Sequence, residues 1–278
     1  MSQSIDQVFV TEYLSDLHVA YQQRGSILRK TVFLKPNVKG SHVKFPKVGK
    51  GKAVQKTRHG VIPAMGVGFS RVEAKMENWY AADYSDALDE MMNNIEDRQA
   101  LANAGAYACG RKVDEIIISQ LKLTTKSVGD GTTDLDKNLV QNAIMKFNTL
   151  GVPDDGQRYA VIGSVQWEQL MNIDAFAKAD YVGDKYPWLQ NTENKKWRNI
   201  NWIHHTGLPL NGTARSCFLY HSSGVGLGEV QGIKAEMKWV TERDAWFPKH
   251  KMSLGAVLID DEGVVEIKCK DNGTLPSA

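Results

Sequence analysis

His204 and His205 stand side by side, and paired imidazoles are a natural start for a metal site. Their setting argues against one. Asn199 to His205 alternates as a strand, so the two rings leave on opposite faces and cannot share an ion. His18, His42, His59, His221 and His250 have no partner at metal-binding spacing. Asp130, Asp134 and Asp136 approach the spacing of a calcium loop, but no glutamate closes it and Lys137 intrudes. Loop solubility and helix capping account for these carboxylates. Gly224-Val225-Gly226-Leu227-Gly228 resembles a phosphate cradle only loosely. It lacks dinucleotide spacing, no Lys-Ser/Thr follows, and the next element is a strand, so the run reads as a structural turn. No serine lies in a G-x-S-x-G elbow, and no cysteine has a polar activating context. Cys109, Cys217 and Cys269 read as free thiols of a reducing compartment, with no disulfide framework. The expectation is a protein that is not an enzyme and takes no cofactor and no metal.

Charge is the informative chemistry. From Leu17 to Val72 there is no Asp or Glu, but twelve basic residues, including Lys44, Lys47, Lys50, Lys52, Lys56 and Arg58. The whole chain has 34 basic and 32 acidic side chains, so the remainder holds 22 basic against 32 acidic. Such a segment is expected to meet negative charge outside itself, on nucleic acid or on the acidic body of another copy. Between Val38 and Val72, where the ribbon lies, only Phe45 and Phe69 interleave as aromatics, so base stacking is weakly supported and phosphate contact would be non-specific.

The elements that must position this charge follow from periodicity. The chain has 278 residues, 42% hydrophobic and 24% charged, ordinary for a globular protein with a real core. No secretory signal and no run of about 18 apolar residues occurs, so no membrane partner is expected. Ser4 has capping-box form, and Ile5, Phe9, Tyr13 and Leu17 make one apolar stripe of a helix ending near Gly25, packed on its own domain or on a neighbour. Thr31–Leu34 reads as a short strand. Val38–Val54 and Val67–Tyr80 read as a long two-stranded ribbon with a Gly/Lys-rich tip, too poor in apolar residues to hold a core, which must therefore lie on something else. Ser85–Asn94 reads as helix. Ile95 to about Leu123 is the longest helical signal; Gly105, Ala106 and Cys109 form a small-residue face for close packing. Thr133 or Asp134 is expected to cap a helix with the stripe Leu139, Ala143, Ile144, Phe147 and Leu150. Strands are expected over 159–163, 199–205, 216–221, 233–240, 247–258 and 264–269, with Ser164 capping a short helix. The class is α+β, antiparallel late in the chain.

In this order the elements resemble the major capsid proteins of tailed bacteriophages, the Hong Kong 97 phage fold. GKGKAVQKTRHGVIPAM at 49–65 and ENWYAADYSDALDE at 77–90 look like that family's extended loop and its return. NIEDRQALANAGAYACGRKVDEIIISQL at 94–121 looks like its spine helix. WFPKHKMSLGAVLIDDEGVVEIKC at 246–269 looks like its closing strands, with Gly255, Asp260, Gly263, Val264 and Val265 in the common pattern. The resemblance implies an N-terminal arm (1–35), an extended β-ribbon loop (36–80), a peripheral domain with the spine helix (81–132), an axial mixed α/β domain (133–240) and return strands of the peripheral domain (241–278). It implies self-assembly into hexamers and pentamers of an icosahedral virion shell around double-stranded DNA, built in the host cytoplasm. It assigns Lys44, Lys47, Lys50, Lys52, Lys56 and Arg58 to contacts between subunits. Packaged DNA would meet the inner face non-specifically. Only about 35 residues precede the loop, which implies a separate scaffolding protein or none, alongside a portal. An encapsulin-type nanocompartment and a non-specific nucleic-acid-binding protein stay open as alternatives.

Overall fold

A computed structural model describes residues 23, 25–86, 97–173, 176 and 194–273. In chain order its strands and helices are β1 (Phe33–Lys35), β2 (His42–Val48), β3 (Phe69–Lys75), β4 (Glu77–Ala82), β5 (Ser85–Asp86), α1 (Asp97–Leu121), β6 (Ser127–Val128), α2 (Lys137–Thr149), β7 (Arg158–Ile162), α3 (Ser164–Met171), β8 (Asn194–Trp197), β9 (Ile200–His204), β10 (Leu210–Asn211), β11 (Ala214–His221), β12 (Val225–Val240), β13 (Ala245–Leu258) and β14 (Val264–Lys270). Contacts divide the chain into two compact units. The first comprises residues up to Ser26, Asn78–Arg111 and Gly232–Met252; the second comprises Ile27–Glu77, Lys112–Gln231 and Ser253 onward.

The second unit is organised by a seven-stranded sheet in the order β6-β14-β11-β7-β9-β8, with β10 on β11. β11 runs antiparallel to both β14 and β7, while β7 lies parallel to β9. The central strands read as near-continuous apolar runs because both faces are covered: Cys217, Phe218, Leu219 and Tyr220 are buried, as are Val264, Val265 and Ile267. Helix α2 buries Leu139, Val140, Ala143, Ile144 and Phe147. Its cap is Asp136, whose carboxylate accepts from Leu139 N at 2.7 Å. The expected caps Thr133 and Asp134 stand too early; Asp134 instead accepts from Gln169 Nε2 at 3.1 Å. Ser164 is the first helical residue of α3 after Gly163, and its hydroxyl meets His204 Nε2 at 2.9 Å.

In the first unit, α1 contributes its small-residue half. A Cβ on Gly105 would stand 2.5 Å from the His250 ring, and one on Gly110 would stand 2.5 Å from the backbone of Gly25. Cys109 is buried and burial pushes its thiol pKa up, whereas Ala106 is only half-buried. The ends of β12 and β13 supply Trp239 and Trp246, edge to face at 5.1 Å, and Glu236 between Lys249 (3.4 Å) and Lys251 (2.5 Å). Tyr84 stacks on Phe247 at 4.6 Å, with the Arg243 guanidinium 4.4 Å over the Tyr84 ring.

Three expectations need correction, and a fourth lies outside the described residues. Ser85 and Asp86 are strand, paired with Trp246 and Ala245, so the helix expected over 85–94 does not start there; 87–94 lie outside the described residues. The arm helix expected from Ser4 to near Gly25 lies outside them up to residue 22. The glycine run at 224–228 is no simple turn, since Val225 opens the sixteen-residue strand β12. The return strands expected as one group, 241–278, separate: Ala245–Met252 belongs to the first unit, and β14 sits between β6 and β11 in the sheet of the second.

Candidate assembly surface

The ribbon pairs β2 with β3 in antiparallel register, from His42 opposite Lys75 to Val48 opposite Phe69. Alternation then gives the two faces different fates. Val43, Phe45 and Ala74 are buried together, with Val38, Met76, Val257 and Ile259 packed around them. This corrects the expectation of a coreless ribbon, because its base has a small core on its own chain. The glycines of β12 make the seat. A Cβ on Gly226 would come within 2.8 Å of the Phe45 ring, and one on Gly228 within 2.5 Å of Val43. Glycine at 226 and 228 bares one face of the strand by period two, while Val225 and Leu227 are buried on the other. That spacing was the legible signal for the seat, hidden by the resemblance to a phosphate loop.

Charge follows the same division. Lys44 faces Glu73 directly across the ribbon at 3.1 Å. Lys47 reaches Asp260 at 2.8 Å, and Lys50 reaches Glu262 at 2.5 Å. The hydrogen bond and charge of Glu262 raise the Lys50 pKa above its ordinary value. Arg29 likewise meets Glu229 at 2.5 Å. Part of the excess is thus neutralised by carboxylates of the same chain, against the sequence expectation. Lys52, Lys56 and Arg58 make no ion pair among the described residues. They lie in a tip, 51–67, with no strand, where Val61 is 93% exposed and Ile62 75%.

The histidine pair behaves as its alternation requires. His204 serves Ser164, while His205 Nε2 meets the buried Asp114 carboxylate at 3.1 Å. Gly207 N donates to His205 Nδ1 at 3.0 Å, so the ring proton sits on Nε2 and points at Asp114. Asp114 also accepts from Ile27 N (3.1 Å) and Leu28 N (3.0 Å), so this buried charge has the partners it requires. Among the described residues no cluster of three or more metal-ligating side chains occurs, and no helix is long and apolar enough to cross a membrane.

The family model for phage capsid protein matches residues 5–271. The chain belongs to the phage capsid protein family. Similar solved structures include one from Mycobacterium phage Che8 (TM-score 0.71, 16% identity, 93% of this chain and 97% of that one). The capsid of Ralstonia phage GP4 is similar over 100% of both chains, with TM-score 0.69 and 11% identity. The capsid structure of cyanophage P-SCSP1u gives TM-score 0.68 at 15% identity, over 95% of this chain and 94% of that one. No curated protein sequence matches. At these identities the structures show a shared fold, and the family match shows a structural capsid protein that forms the shell.

Proposed function

We propose that this capsid protein is the major shell subunit of a tailed phage, assembling into hexamers and pentamers by laying the tip of its β-ribbon on a neighbouring copy. One observation carries the reading. Residues 51–67 expose Val54, Val61, Ile62 and Met65 beside Lys52, Lys56 and Arg58, with no core of their own. An apolar and basic tip of this kind suits a partner that offers both an apolar surface and carboxylates, and the acidic remainder of an identical chain meets that description. In this reading 1–35 is the arm, 36–80 the extended loop, α1 the spine, and residues of about 133–240 the axial domain. Double-stranded DNA meets the inner face without sequence preference, a separate scaffolding protein and a portal take part, and the virion is built in the host cytoplasm. The role is structural, not enzymatic.

Light scattering over a concentration series, with negative-stain electron microscopy of the same samples, tests it. Rings of five or six and closed shells are expected. A compact monomer at every concentration, with and without scaffolding protein, would overturn the proposal.

A further inference from the structure

Asp260, Asp261 and Glu262 leave one short helical turn between β13 and β14 in different directions. Asp261 points to the segment just after α1: it accepts from Thr124 Oγ1 at 2.8 Å, Thr125 N at 2.8 Å and Thr125 Oγ1 at 2.5 Å. Burial pushes its pKa up, but the hydrogen bonds from Thr125 and Thr124 outweigh burial and hold it below the usual carboxylate range. Asp260 and Glu262 point the other way and take Lys47 and Lys50 of the ribbon. The turn is itself braced. Ile259 N and Asp260 N both donate to Gly224 O (2.8 and 3.2 Å), and Asp260 Oδ1 accepts from Glu262 N at 3.1 Å. Lys47 and Lys50 lie beyond the apolar seat of Val43 and Phe45, where the ribbon begins to run out of packing. The turn therefore touches both the exit of the long helix and the last stretch of ribbon whose lysines have ion-pair partners among the described residues.

We propose that the Asp260–Glu262 turn is a positioning joint: its two outward carboxylates fix the direction of the ribbon relative to the exit of the long helix, so that the tip is presented to a neighbour in one orientation. A preset direction removes an ordering cost that association would otherwise carry. The consequence for assembly rests on the shell reading above; the joint itself does not.

Spin labels at Ala53→Cys near the tip and Met145→Cys on α2 report the direction, and the native Cys109, Cys217 and Cys269 are buried. Measurement is made on unassembled subunits by pulsed dipolar spectroscopy. A narrow distance distribution is expected for the parent protein. Lys47→Gln/Lys50→Gln, which leaves the turn intact, and Asp260→Asn/Glu262→Gln should both broaden and shift it. Lys50→Glu alone should do the same, and adding Glu262→Lys should restore the narrow distribution. Molar sodium chloride should broaden the parent distribution. An unchanged distribution in both neutralised variants would overturn the joint. A broadened distribution together with shells forming at the parent rate would overturn its role in presenting the tip, while leaving the shell assignment standing.

Discussion

The base and the tip of the ribbon share a vocabulary of lysine, glycine and valine, yet they end in opposite states. At the base, Phe45 is 2% exposed because β12 offers it bare glycine backbone, and three lysines find carboxylates on their own chain. At the tip, the same residue types meet nothing comparable among the described residues. Phe69, opposite Val48 at the last rung of β2–β3 pairing, marks the border and is 82% exposed. The contrast shows that a segment's charge and apolar content do not say whether it serves folding or association. The surface facing it does.

Separating the charges breaks or sharpens that contrast most strongly. Lys52→Glu/Lys56→Glu/Arg58→Glu should abolish shells while leaving the melting temperature of the isolated subunit unchanged. Normal shells from this variant would show that the tip's charge has no role between subunits and would favour nucleic acid as its partner, a point settled by comparing salt-dependent DNA affinity.

Next in size is the aromatic pair. Phe45→Ala should destabilise the subunit by about 3–5 kcal/mol in denaturant titration, as expected for emptying a buried aromatic site. Phe69→Ala should change stability by less than about 0.5 kcal/mol, with any defect confined to assembly. Equal effects would erase the distinction between the two regions.

Glycines give a smaller version of the same test. Gly228→Ala places a methyl 2.5 Å from Val43 and should cost about 1–3 kcal/mol by overpacking. Gly68→Ala meets nothing within 4 Å and should lie within about 0.5 kcal/mol of the parent.

The smallest effect concerns the half-buried Glu236, paired with Lys249 and Lys251 away from the ribbon. Hydrogen bonding to Lys251, against a smaller opposing effect of burial and with help from Lys249, lowers Glu236 from 4.5 to about 2. A depressed carboxylate stabilises the folded chain fully above its unfolded value and loses that contribution as pH falls through the folded one. The melting temperatures of the parent and Glu236→Gln should therefore differ at neutral pH and converge between pH 4.5 and about 2. A difference that persists unchanged at low pH would show that Glu236 acts through packing instead.

Much of the candidate surface was legible before any fold. The ribbon strands, the long helix, the stripe of α2 and the opposed histidines follow from periods of 2 and 3.6, which are properties of the backbone and need no partner. The acid-free stretch from Leu17 to Val72 likewise marks a basic segment by composition alone. Tertiary structure alone decided which of those charges are met within the chain, because Lys47 and Asp260 stand 213 residues apart and no local pattern joins them. It also turned the glycine run into a seat, moved β14 into the sheet of the second unit, and brought Gly25 against Gly110 and His250 against Gly105. Local periodicity fixes which face of an element is apolar. Which surface covers that face depends on contacts between residues far apart in sequence, and these exist only once the chain has folded.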